Sequence, residues 1–79
     1  MSTNNTGTVL DLKGLLCPIP VVKIATAIKG IQINEVIEAT ATDPGVMMDI
    51  PAWCASTGNE LQSMEETDSV FTFKVKRLK

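Results

Sequence analysis

A chain of 79 residues closes off most architectures before any motif is read, because it can form one domain around one thin core. A domain of this size buries only about 60% of the surface that its unfolded chain exposes. An enclosed active-site cavity does not fit such a core, so chemistry belongs at the surface, against a partner. The content is nonetheless that of a folded protein, 44% hydrophobic and 20% charged.

The inventory of reactive side chains is short. There is no histidine and no tyrosine, and the cysteines are two, Cys17 and Cys54. Without histidine there can be no Cys-His dyad, no Ser-His-Asp triad and no imidazole ligand. Acid-base work could fall only to carboxylates or lysines. Two isolated cysteines make no disulfide framework and cannot complete a tetrahedral zinc site, so no metal or cofactor is expected. The net charge of −2 argues against a nucleic-acid module, which should be markedly basic. No run of eighteen apolar residues occurs and the opening residues are polar. The expectation is therefore neither a membrane span nor a signal peptide, and a cytoplasmic location. Residues 1–7 read as a disordered tail and residues 8–79 as the domain.

Periodicity predicts the elements. Thr8 to Leu12 reads as a strand with Leu10 and Leu12 on one face, and Gly14 as a turn. Helical spacing runs from Pro18 to Lys29, with Val21, Ile24, Ala25 and Ile28 on one face and Gly30 past the end. A strand follows at about Glu35 to Thr42, then Asp43-Pro44-Gly45 as turn and helix entry. A second helix covers about Met47 to Thr57 on a stripe Met47-Ile50-Cys54, awkward for Pro51 unless it lies in the first turn. Asp49 suits the positive end of that helix. Leu61 to Glu66 and Val70 to Lys76 predict a hairpin around Thr67-Asp68-Ser69, with Phe71, Phe73 and Val75 inward. Alternation in Leu61 to Glu66 is poor. The expected fold is a two-layer α/β (α+β) sandwich, β-α-β-α-β-β, with a mixed four-stranded sheet and both helices on one face. Strand order is not readable.

Cys17, within Gly14-Leu15-Leu16-Cys17-Pro18-Ile19-Pro20, falls at the expected N-cap of the first helix. Unsatisfied N–H groups and the helix dipole there favour a thiolate, lowering the pKa by less than about one unit. Prolines remove the amides of positions 18 and 20, leaving Ile19 as the main local donor. On position alone, Cys17 reads equally as a small buried apolar residue beside Leu15 and Leu16. Cys54 reads as core, together with Met47, Met48 and Trp53, with a surface place as the alternative for Met48. Lys74, Lys76, Arg77 and Lys79 read as a solvated strand face and tail, with docking to an acidic partner as the alternative.

Three ordered blocks then carry a family resemblance. Leu10 to Val21, with Cys17-Pro18-Ile19-Pro20 inside it, resembles the opening signature of the TusA/SirA sulfurtransferases. Ala41-Thr42-Asp43-Pro44-Gly45 with Asp49 to Cys54 resembles the second block, and Thr57 to Leu61 the third. The resemblance implies a persulfide on Cys17, received from a cysteine desulfurase or rhodanese-type protein. It further implies delivery to a DsrE-type relay protein, for tRNA thiolation or sulfur oxidation, and for some members a place beside a membrane thiosulfate importer. Partner recognition is expected on the segment around the thiol, on Lys13, Leu15, Pro18, Ile19, Pro20 and Lys23. No direct nucleic-acid binding is expected. A rival reading is a non-catalytic interaction or regulatory domain with a structural Cys17.

Overall fold

The computed structural model describes residues 6–79. The elements are β1 (Thr6–Leu12), α1 (Ile19–Ile28), β2 (Val36–Ala41), α2 (Val46–Thr57), β3 (Glu60–Thr67) and β4 (Val70–Lys76). The order matches the expected β-α-β-α-β-β. β1 starts two residues early, so Thr6 and Gly7 belong to a strand, and the rest of the expected tail, residues 1–5, lies outside the described residues.

In space the strands run β1-β2-β4-β3. β1 and β2 are parallel, while β4 is antiparallel to both β2 and β3. β3 is therefore parallel to β2, and both helices are crossovers between parallel strands with β4 inserted beneath the second. Register stacks Leu10 beside Ala39 and Phe73, and Leu12 beside Ala41 and Phe71. Those residues, with Ile37, Val75 and the inner faces of both helices, make one cluster, so both helices cover the same sheet face. Phe73, Ile37, Ala39, Ala41 and Val75 are fully buried.

The helix faces differ from expectation by one residue. α1 buries Pro20, Ile24 and Ile28, and α2 buries Val46, Ile50 and Cys54. Each is a strict i, i+4, i+8 row, the narrow stripe that a short helix lays on a sheet. Met47 and Met48 consequently lie outside the core and are exposed, and Trp53 is half-buried against its edge. Pro51 lies inside α2, beyond the first turn. Its missing N–H would have served the carbonyl of Met47, whose residue is exposed, so water can take the place of that donor.

β3 alternates poorly because its pairing with β4 shifts between Leu61 and Ser63, which puts both faces out of step. It is also a sheet edge with no fully buried residue. The hairpin turns on Asp68 and Ser69, at φ 52° and 66°, the left-handed pair that matches strand twist. Thr67 is the last residue of β3, paired with Val70, rather than part of the loop.

Candidate functional site

Parallel β1 and β2 end side by side at Leu12 and Ala41, and each delivers the chain to a helix on the same face. The two helix starts are therefore neighbours. The segments that feed them, residues 13–18 and 42–45, meet at the carboxyl edge of the sheet, where open α/β sheets commonly place their sites.

Two hydrogen bonds join these segments. The Gly14 N–H donates to Thr42 Oγ1 at 2.9 Å, and the Cys17 N–H to Asp43 Oδ2 at 2.6 Å. The other oxygen of Asp43 accepts the Gly45 N–H at 3.2 Å, so one carboxylate fastens both loops. The Cys17 side chain then lies over Gly45, where a Cβ would stand 3.1 Å from Sγ. Gly45 is the N-cap of α2 with an ordinary φ of −58°. Space for the sulfur, not backbone conformation, is what glycine supplies there.

Cys17 stands one residue ahead of its expected place, because Pro18 is the N-cap of α1. The Ile19 N–H, expected to face an anion, instead donates to the Leu16 carbonyl at 2.9 Å. At α2, the amides of Val46, Met47 and Met48 are likewise committed to backbone carbonyls. The environment of the thiol is thus the reverse of the expected one. Partial burial, followed by the carboxylates of Asp49 and Asp43 within hydrogen-bonding reach, pushes Cys17 up to about 12. The two amides that Asp43 accepts, from Cys17 and Gly45, hold its own carboxyl below the usual range. Cys17 is half-buried, its inner side packed on the core and its outer side open.

The other residues expected near the thiol divide. Lys13, Pro18, Ile19 and Lys23 are exposed, and Lys13 pairs with Asp11 at 3.6 Å. Leu15 is half-buried against the core. Pro20, expected to face a partner, is fully buried, because it begins the row that continues through Ile24 and Ile28. Cys54 is core, where burial pushes its thiol up to about 11. It follows Gly45 by nine helical residues, about 13 Å along the axis, too far from the sulfur above Gly45 for a disulfide.

Sequence reasoning missed Asp43, Gly45 and Asp49 as neighbours of the thiol, having read them only as turn and helix-dipole residues. The signal that finds them is topological. Two parallel strands with same-side crossovers bring both helix entries to one spot.

Comparison with known proteins gives the family and the fold. Residues 8–77 match the family model for sulfurtransferase TusA. The sulfur carrier protein TusA of Allochromatium vinosum is 35% identical over 68 residues, 86% of this chain and 90% of its own. A Halobacterium salinarum relative, provisionally named a sulfur carrier, is 45% identical over 71 residues, 89% of this chain and 88% of its own. The fold recurs in the crystal structure of a SirA-like protein from Desulfitobacterium hafniense. It has a TM-score of 0.78 at 16% identity and covers 91% of this chain and 99% of that one. With its thiol at the meeting point of two helix entries, this chain is a member of the TusA family of sulfur carriers.

Proposed function

We propose that Cys17 accepts sulfane sulfur as a persulfide and passes it to a thiol of a partner protein. The observation that carries this reading is the placement of the sulfur. It is open on one side at the sheet edge, while the second thiol is sealed in the core. In the charging step the Cys17 thiolate attacks the outer sulfur of a donor persulfide. The new S–S bond forms as the donor's S–S bond breaks, and the donor thiolate takes up a proton. Delivery repeats the step toward an acceptor thiol, so neither direction needs an outside oxidant. A chain without histidine relies on its partners for proton handling.

Donors of the cysteine desulfurase or rhodanese type, and DsrE-type acceptors, supply such sulfur chemistry, in the cytoplasm. The end use is tRNA thiolation or sulfur oxidation. A membrane thiosulfate importer is a further source of sulfur that fits this chemistry. Among the described residues no helix is long and apolar enough to cross a membrane.

Intact-mass spectrometry after incubation with a cysteine desulfurase and cysteine, or with a rhodanese and thiosulfate, tests the proposal. The wild type should gain one sulfur atom, lose it to dithiothreitol, and show neither change as Cys17→Ser. A folded wild-type protein that no donor charges would leave Cys17 as a structural residue of an interaction domain.

A further inference from the structure

Exposed apolar surface is not spread evenly over this molecule. Eight large apolar side chains are exposed among the described residues, and five of them, Leu16, Ile19, Val22, Met47 and Met48, lie at one end. They belong to the Cys17 loop or to the first four residues of α1 and α2. Leu16 is 72% and Met48 78% exposed. Scattered singly, such residues would need no explanation, but gathered around one thiol they mark a surface that another molecule covers.

The charge at the same end is unbalanced. Asp43 and Asp49 are half-buried beside the sulfur, and the one ion pair among the described residues, Lys13 with Asp11, leaves both without a cation. Sulfur transfer runs through the anion of Cys17. An anion at Sγ would face two carboxylates, while the nearby amides of Ile19, Gly45, Val46, Met47 and Met48 are already engaged. No cation of the described residues is paired with either carboxylate, and a partner can supply one.

We propose that this end of the molecule docks a protein that presents a lysine or arginine from an apolar surface, the cation seating between Asp43 and Asp49 beside Sγ. The partner's apolar surface covers Leu16, Ile19, Val22, Met47 and Met48. Water leaves, and the pairing of cation with carboxylates strengthens as it does. A thiol that is quiet alone then becomes a nucleophile only inside the complex. The purpose of this face rests on the sulfur-carrier reading, but its charge preference is a property of the folded chain alone. Two copies meeting by this end would set acid against acid.

Thiol–disulfide exchange with small reagents tests the charge preference without any partner. Cys17 attacks one sulfur of the disulfide, the S–S bond breaks, and the departing thiolate takes up the proton. Rates are measured with cystamine, hydroxyethyl disulfide and dithiodipropionate, each divided by its rate with a peptide of residues 14–20. The cationic reagent should exceed the anionic one by roughly tenfold or more at low salt, with the neutral one between. The ratio should shrink as salt is added and fall toward one in Asp49→Asn, whose fold is checked by circular dichroism. A wild-type ratio of one, or a ratio unmoved in Asp49→Asn, overturns the proposal. With a desulfurase as donor, Leu16→Ser and Met48→Ser should raise KM several-fold while kcat and the disulfide ratio hold. An unchanged KM in both overturns the apolar half. A concentration-dependent dimer in sedimentation, abolished by Leu16→Ser or Met48→Ser, would give the face to a second copy instead. A normal charge preference in a chain that no donor charges would sink the carrier reading and leave the preference standing.

Discussion

At the scale of single residues, the site is a thiol held over a glycine by a carboxylate. A thiol whose pKa is raised holds less thiolate at neutral pH, so its reactivity should climb with pH well past the range of a free cysteine. Alkylation by iodoacetamide should therefore rise about tenfold per pH unit from pH 7 to 10, without the plateau that a thiol near 8.5 would show. Asp49→Asn removes one opposing charge and one acceptor, and should speed alkylation at pH 8 up to about tenfold. A plateau in the wild type, or an Asp49→Asn rate equal to it, would contradict the assigned environment. Gly45→Ala tests the close approach. A methyl 3.1 Å from Sγ must move the sulfur by a few tenths of an ångström. Stability should change by less than about 1 kcal/mol, while charging slows several-fold in a single-turnover mass assay.

At the scale of elements, Pro20 and Cys54 each belong to a buried helical row. Pro20→Ala removes a fully buried ring and frees the unfolded chain, so both effects destabilise, together by about 1–2 kcal/mol. It should also loosen the segment that presents Cys17 and slow sulfur transfer several-fold. Urea denaturation alongside a transfer assay reads both. Cys54→Ala should cost about 1 kcal/mol and leave charging intact. A folded Cys54→Ala chain that cannot be charged would return that thiol to the mechanism. These two rows also show what local pattern carries. β4, with Phe71, Phe73 and Val75 in clean alternation, was legible residue for residue from the sequence, because one of its faces is sealed and the other wet. β3 was not, because its register shift and its edge position remove the alternation on which such reading depends. The stripe of α2 was displaced by one residue, since Val46 and Met47 are both apolar and nothing local decides which turns inward.

At the scale of the whole molecule, strand order could not be read from the sequence, because pairing is decided by contacts far apart in the chain. The proximity of Asp43 and Asp49 to Cys17 was hidden for the same reason. The thiol itself was legible from its motif, but its electrostatics were not, since the charges that set them arrive from α2 and the segment before it. Packing across layers is also where the largest single loss is expected. Phe73 is fully buried, beside Ala39 on one side and Met64 on the other. Phe73→Ala should cost about 3–4 kcal/mol, a large share of what a domain of this size has to lose. A midpoint in urea within error of the wild type would show that the core lies elsewhere.

The position of β4 between β2 and β3 has a consequence during synthesis. The ribosome makes β1, both helices and β3 before the strand that joins them, so the nascent chain holds β3 with no neighbour to pair. β2 can pair with β1 as soon as both are made, but β3 finds its sheet partner, and β2 its second one, only when Val70 to Lys76 has left the exit tunnel. Folding of this domain is thus deferred to its last strand, and such long-range closure is slow compared with hairpin or helix formation. The cysteine is translated early, yet it acquires its carboxylate neighbours and its glycine seat only at that late moment. A chain stalled before Phe71 would expose an ordinary thiol with none of the restraint of the finished protein.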